Sequence, residues 1–264
     1  MRMILLFVVA LLPKMSRADE WTPPENPDVN AIRHEAKVDK DRGRYETALA
    51  KHVWYHENAL TLGTGQGGVR LSFALSAWLE LGEVYPPALK KMREVRDETE
   101  SRIRDENRVR VSFGDFHDFV ALNRTLRDEQ RTANTFAWLD QNDAEDAQRV
   151  FLVAKPSLIK QKNYQLYLKY TDLNNAVDRI GENYERGIQL AEERFGKDYR
   201  DHTEKTFLNA STTLVAVLVK SDQPEDAKRI AEQFREIVSD ETLSEKLDVG
   251  LKSAMDGVVP KPWP

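Results

Sequence analysis

The stretch from Gly43 to Leu89 places the strongest constraint on what this chain can fold into. It contains a segment with helical apolar periodicity, then the glycine-rich loop Gly63–Gly68, and then a second helical segment that ends at Pro86 and Pro87. Glycine and proline are the residues that most often interrupt helices. The same order of segments recurs more faintly along the chain, which predicts an all-α protein built from repeated helices.

The first predicted helix covers roughly residues 44–60 and has one wide apolar face. At 100° per residue, the side chains of this face lie within about 80° of one direction. They are Tyr45, Ala48, Leu49, His52, Val53, Tyr55, His56, Ala59 and Leu60. Trp54 lies on the opposite side of the helix. A helix in a stacked array can bury both sides, because it packs against neighbours on each of them.

The second predicted helix covers roughly residues 69–85 and is apolar over about two thirds of its circumference. Its narrow polar strip consists of Ser72, Ser76, Glu80 and Glu83. A helix that is apolar nearly all round is buried between other helices. The pattern therefore predicts that Trp78, near the middle of this helix, lies in the core of the N-terminal half.

A family resemblance rests on the same stretch. Trp78, Leu81, Gly82 and Tyr85 form the pattern W-x-x-L-G-x-x-Y, which resembles the first helix of a tetratricopeptide repeat. The segment Gly43–Leu49 resembles the turn and the start of the second helix in the same family. The resemblance covers most of residues 43–238, most specifically at 43–89 and 184–238. It implies a right-handed solenoid of helical hairpins, a tetratricopeptide-like superhelix.

The spacing of the units is longer than the usual repeat of about 34 residues. Ala48 and the equivalent Ala88 are 40 positions apart, and so are Gly187 and Ala227. Units of this length resemble those of the kinesin light chain type. Gly187 stands where that family has an alanine.

The predicted organisation is one helical-repeat domain over residues 31–257. An extended proline-rich lead-in precedes it at residues 19–30, and a loose tail follows it at residues 258–264. Three local expectations complete the prediction. Residues 108–113 alternate like a strand but are expected to form a connector, Pro156 is expected to close a helix, and Tyr184 is expected to lead one.

The first 18 residues resemble a secretory signal peptide. A basic start is followed by the apolar run Ile4–Leu12 and by the small residues Ser16 and Ala18. The run is too short to span a bilayer, which needs about 20 residues. We expect cleavage after Ala18 and a secreted or periplasmic mature chain without a membrane span. An N-terminal anchor, or a start codon set too early, is the alternative.

Charge excludes some partners. The chain has 39 basic and 44 acidic residues, a net charge of −5. Removal of Arg2, Lys14 and Arg17 with the signal peptide would bring the net charge to about −8. Such a balance argues against a nucleic acid and against an anionic membrane surface as partner. The chain has no cysteine, so disulfides play no part.

One pair of histidines has the spacing of a metal site. His52 and His56 lie four residues apart on one helix face, next to Glu57. Two neutral imidazoles at that spacing can share a metal ion. The segment lacks the full H-E-x-x-H motif, and both histidines lie on the apolar face, where packing is the simpler role. The loop Gly63–Gly68 fits G-x-G-x-x-G but follows a helix instead of a strand, which indicates an ordinary loop.

Aromatic and arginine side chains are the candidates for partner binding, because these residue types dominate binding hot spots. The candidates are Trp54, Tyr55, Arg70, Arg93 and Arg96. Packing between repeats and surface ion pairs explain the same residues equally well.

No catalytic signature is present, and no cofactor is predicted. The sequence therefore predicts a non-catalytic scaffold of the cell envelope or exterior that binds a protein or peptide partner in a helical-repeat groove. The alternative is a metal-binding protein or metal-dependent hydrolase that uses His52, His56 and Glu57. A third possibility is a purely structural envelope component.

Overall fold

The structure is a computed structural model that describes residues 21–261. Within these residues every regular element is helical and no strand occurs, which confirms the all-α prediction. No helix in this range is long and apolar enough to cross a membrane. The predicted signal peptide and its cleavage site, at residues 1–18, lie outside the described residues.

The described part of the chain contains thirteen α-helices and one π-helical turn. In chain order they are α1 Val29–Asp41, α2 Tyr45–Leu62, α3 Gln66–Arg70, α4 Phe73–Val84, α5 Pro86–Ile103, α6 Phe113–Thr125, α7 Glu129–Asn142, α8 Ala144–Lys160, α9 Tyr164–Lys169, α10 Leu173–Leu190, the π-helical turn Ala191–Phe195, α11 Lys197–Lys220, α12 Pro224–Ile237 and α13 Glu241–Met255.

The chain divides into two compact units, residues 1–92 (unit 1) and residues 93–264 (unit 2). The boundary falls within α5. The predicted single repeat domain over residues 31–257 stays a prediction, because one array of repeats can contain more than one compact unit.

Unit 1 is built on the pairing of α1 with α2. Asp28 begins α1 by accepting hydrogen bonds from the backbone N–H groups of Asn30 and Ala31, at 2.8 and 3.1 Å. Such a cap satisfies amide groups that have no partner inside the helix. Gly43 has a φ of +75° in the turn to α2, a conformation that suits glycine.

The prediction of one long helix over residues 69–85, buried nearly all round, is wrong in two respects. The segment is two helices, α3 and α4, separated at Leu71 and Ser72. The Ser72 hydroxyl donates to the backbone carbonyl of Gly68 at 2.6 Å, and such local bonds compete with regular helix. The helix is also not buried all round, because Phe73 and Val84 at its ends are 73% and 55% exposed. Trp78 is only 1% exposed, as its position predicted.

Unit 2 surrounds α11, which packs against α10, α12 and α13. Its continuous core runs from Ile103 to Ala254. The segment between α5 and α6 is a connector without a strand, as expected. The expectation that Pro156 closes a helix is wrong, because Pro156 lies inside α8. The buried neighbours Ala154 and Leu158 bracket it in the core, so packing holds the helix together where proline removes a hydrogen bond.

The helix expected to begin near Tyr184 begins eleven residues earlier, at Leu173. Asp172 caps this helix by accepting from the amide groups of Asn174 and Asn175, at 3.1 and 3.4 Å. The capping signal is therefore what sets the start of α10.

Gly187 marks a close approach of α10 to α11. A Cβ atom at this position would lie 2.5 Å from Cγ2 and 2.7 Å from Oγ1 of Thr203. We expect Gly187→Ala to destabilise unit 2 by about 1–3 kcal/mol through overpacking, measured by denaturant unfolding. Adding Thr203→Ala should recover part of the loss. An unchanged unfolding midpoint for the single variant would contradict the packing.

Candidate functional site

Three of the predicted partner-binding residues lie in unit 1, and two of them are buried. Tyr55 is 1% exposed and donates its hydroxyl to Oε1 of Gln66 at 2.6 Å. Arg70 is 5% exposed and donates Nε–H to the backbone carbonyl of His56 at 2.5 Å. Both side chains therefore hold unit 1 together.

Trp54 keeps part of its surface. It is half-buried on α2 and packs against the unit 1 core. Its ring meets that of Trp21 edge-on, with centroids 6.2 Å apart. The lead-in is therefore attached to unit 1 at Trp21, a contact that no sequence pattern indicated.

The other two predicted residues lie in unit 2. Arg93 is exposed. Arg96 is buried, and its guanidinium pairs with the carboxylates of Asp97 and Asp128, each at 2.9 Å. The charge of Arg96 therefore has its partners inside unit 2. A partner-binding role for Trp54 and Arg93 stays a prediction.

His52 and His56 both pack against the Trp78 indole. The His52 ring stacks on it with centroids 6.2 Å apart, and the His56 ring meets it edge-on at 6.0 Å. Burial, and secondarily the charge of Lys40, lowers the pKa of His52 to about 4. Two buried imidazole rings packed on an indole have the packing role that their position on the apolar face suggested.

The third member of the predicted metal set is placed differently. Glu57 is exposed, whereas both histidines are buried. Among residues 21–261 no group of three or more His, Cys, Asp or Glu side chains could hold a metal ion. A metal-binding role for His52, His56 and Glu57 has no geometric support here and stays a prediction.

Two buried charge clusters have their partners inside their own unit. In unit 1, Lys51 pairs with Asp39 at 2.8 Å and with Glu35 at 2.7 Å. In unit 2, the Glu100 carboxylate accepts from Thr135 at 2.8 Å and from Arg131 at 2.5 Å. Because each charge has its partner inside the unit, these clusters leave little for a ligand.

A cleft of about 540 Å³ opens in unit 2 and has a different character. We call it the α8–α10 cleft, after the two helices that form its walls. Helix α8 contributes Gln148, Arg149, Phe151, Leu152 and Lys155, and α10 contributes Ala176, Arg179, Ile180 and Asn183. Helix α9 and the turn after it contribute Tyr167, Tyr170, Thr171 and Asp172, and α11 contributes Leu214. A volume of roughly 300–1,000 Å³ is typical of ligand sites.

Helical spacing explains why these side chains face one another. On α8, Gln148, Leu152 and Lys155 follow the spacing i, i+4, i+7, which puts them on one face. On α10, Ala176, Ile180 and Asn183 follow the same spacing, with Arg179 beside them. The α9 turn supplies an aromatic floor, since Tyr167 and Tyr170 are both buried.

Three basic side chains and one carboxylate, that of Asp172, line the cleft. Lys155 places Nζ 5.2 Å from the ring centroid of Tyr167, and no carboxylate within residues 21–261 forms a salt bridge with it. Burial, and secondarily the charge of Arg179, lowers the pKa of Lys155. Arg179 donates to the backbone carbonyl of Asn175 at 3.2 Å and likewise pairs with no carboxylate in the described chain.

The remaining charges of the cleft are engaged. Arg149 pairs with Asp146 at 2.8 Å, and the carboxylate of Asp172 caps α10. Burial raises the pKa of Tyr167 to about 12, so its hydroxyl stays neutral. The cleft therefore offers Lys155, which has no ion pair, and Arg179 beside the carboxylate of Asp172, over an aromatic floor, on a chain whose net charge is negative.

Two smaller depressions adjoin the cleft and share residues with it. One, of about 500 Å³, shares Gln148, Arg149 and Tyr170. The other, of about 210 Å³, lies between α10 and α11 and shares Ile180 and Asn183. Because they share lining residues, the three depressions are neighbours, and together we call them the unit 2 groove.

Sequence reasoning missed this groove, although Lys155 carries a signal. The positions three and four residues away from it are Phe151, Leu152, Leu158 and Ile159. A solvated lysine on a helix usually has an acidic neighbour at such spacing. A lysine among apolar residues at all four positions indicates a charge held against a packed face.

Comparison of the chain with protein-family models, with curated proteins and with solved structures finds no match. The chemistry of the groove is therefore argued from its own residues. It offers concave apolar surface, hydrogen-bonding amides and two cations, which suit binding.

Proposed function

We propose that this chain is a non-catalytic scaffold that binds an extended segment of a protein partner in the unit 2 groove. The observation that carries the proposal is the adjacency of the three depressions, which share lining residues along α8, α9, α10 and α11. A row of adjoining depressions suits a chain segment, whereas a single closed pocket suits a compact molecule. The tetratricopeptide resemblance, which stays a resemblance, agrees with a groove formed by helices.

The rim of the groove supports the same proposal. Leu152 is 70% exposed on α8 and stands next to the uncompensated Lys155. Ile180 is half-buried on the facing α10. Apolar anchors beside charged groups are typical of surfaces that a partner covers. The predicted signal peptide places the protein in the cell envelope or outside the cell, and this location is part of the proposal.

A pair of charge substitutions tests the groove. We expect Leu152→Asp to reduce capture of the partner at least about tenfold, because a carboxylate would replace the apolar anchor. Capture is measured by pull-down of crosslinked complexes from extracts of the source cells, followed by mass spectrometry. The Leu152→Asp variant and the wild type should have the same melting temperature, since Leu152 is largely exposed.

The matched control is Val249→Asp. Val249 is 72% exposed on α13 and does not line the groove. This variant introduces the same charge at the same exposure and should capture the partner normally. Equal loss in both variants, or equal retention, would contradict the placement of the binding site.

A further inference from the structure

The α8–α10 cleft has an unusual combination of groups for the middle of a groove. Lys155 is largely withdrawn from solvent, lies over the Tyr167 ring and has no carboxylate partner within residues 21–261. A second cation, the exposed Arg179, lines the same cleft together with the carboxylate of Asp172. Since Lys155 has no carboxylate of its own, an anion bound beside it would supply the missing opposite charge.

The lining of the cleft indicates that its ligand has an apolar part as well as a negative charge. Leu152 and Ile180 form opposite walls, and Tyr167 and Phe151 lie below them. Such a lining favours an apolar body, because burial of each methylene group is worth a constant increment of free energy. A hydrated inorganic anion would leave this surface uncovered.

We infer that the α8–α10 cleft binds a small carboxylate with an apolar body, held at its charged end by Lys155 and Arg179. The guanidinium and the ammonium donate to the carboxylate oxygens, and the apolar body lies on Tyr167 between Leu152 and Ile180. This is a small-molecule site and goes beyond the binding of a partner segment. Because it occupies the middle of the unit 2 groove, the bound carboxylate and a partner segment exclude each other.

Matched small molecules test the inference on the full chain. The probes are octanoate and phenylacetate, and the controls are their neutral amides, octanamide and phenylacetamide, together with acetate. Binding is measured by isothermal titration calorimetry and by chemical-shift changes. We expect both carboxylates to bind, with each amide at least about tenfold weaker because the charged hydrogen bonds are lost. Acetate should also be at least about tenfold weaker than octanoate, because it has no apolar body.

Variants then place the site. Lys155→Met and Arg179→Gln should each weaken octanoate binding at least about tenfold. The control Lys160→Met removes a charge from the same helix outside the cleft, where Lys160 pairs with Glu129 at 2.5 Å, and should bind normally. Arg179 is exposed on α10, so its variant keeps the test valid if Lys155→Met fails to fold.

Several outcomes would overturn the inference. One such outcome is that neither carboxylate binds at millimolar concentration, and another is that each carboxylate binds no more tightly than its amide. The third is that Lys160→Met loses as much octanoate binding as the two cleft variants. Partner capture that depends on Leu152 while the carboxylates do not bind would reject this inference alone and leave the proposed function standing.

Discussion

Replacing Trp78 by alanine is expected to destabilise unit 1 by about 3–5 kcal/mol. The indole is 1% exposed, contacts the rings of His52 and His56, and donates Nε1–H to the backbone carbonyl of Ala88 at 3.0 Å. The substitution therefore leaves a cavity and also removes a buried hydrogen bond. A loss of this size is comparable to the whole stability of many small domains.

The measurement is denaturant unfolding followed by far-UV circular dichroism, with the transition of each unit fitted separately. Trp78→Phe serves as the control, because it keeps most of the apolar volume and removes only the hydrogen bond. It should cost about 1–2 kcal/mol. If Trp78→Ala unfolds at the same midpoint as the wild type, the placement of Trp78 in the core of unit 1 is wrong.

The second large effect is a loss of stability at acid pH that depends on His52. In the folded chain the pKa of His52 is lowered to about 4, against 6.5 for an ordinary histidine. Between these values the unfolded chain takes up a proton that the folded chain does not. The free energy of unfolding therefore falls as the pH drops from about 6.5 to 4, by about 1.4 kcal/mol per pH unit. The total loss is about 3 kcal/mol, and the full stability is present above pH 6.5.

The dependence is measured as the free energy of unfolding at a series of pH values, for the wild type and for His52→Gln. Carboxylates also titrate at the acid end of this range, so the difference between the two proteins isolates the histidine. We expect the difference to shrink towards pH 4, because the variant lacks the titrating ring. His34→Gln, at an exposed position on α1, should keep the wild-type slope. Parallel curves for the wild type and His52→Gln would show that the ring is not held in its neutral form by burial.

Periodicity predicted the parts of the fold in which a single strong pattern decides the outcome. The burial of Trp78 and the apolar face of α2 follow from positions three and four residues apart. The break between α3 and α4 does not follow from periodicity. The apolar pattern predicts one unbroken helix there, but the glycines and the hydrogen bond of the Ser72 hydroxyl outweigh it. Pro156 shows the reverse case, in which a local breaker is outweighed by packing of both flanks.

The candidate site was harder to find from sequence for a different reason. Arginine and aromatic residues were chosen as binding candidates by type, but Tyr55, Arg70 and Arg96 are buried in internal contacts. The groove depends on which helix faces meet in unit 2, and that arrangement is not encoded in any one segment. Lys155 and Arg179 lie on different helices and more than twenty residues apart in the sequence, and only the fold brings them to one cleft.

The same reasoning explains the role of Gly187. In the family resemblance it is a departure from the expected alanine. In the structure it lies where α10 and α11 approach so closely that a methyl group would overlap Thr203. A residue that departs from a motif can therefore be required by packing. The contact geometry shows whether it is required or is only a loss of the motif.

Site-specific photo-crosslinking tests the central claim most directly. A photoreactive amino acid is placed at Leu152, at Ile180 or at Val249, each variant is irradiated in an extract of the source cells, and the crosslinked segments are sequenced by mass spectrometry. We expect positions 152 and 180, on opposite walls of the groove, to crosslink to one segment of the same partner, and position 249 not to crosslink to it. Crosslinking from position 249 alone, or from none of the three positions, would contradict the groove as the binding site.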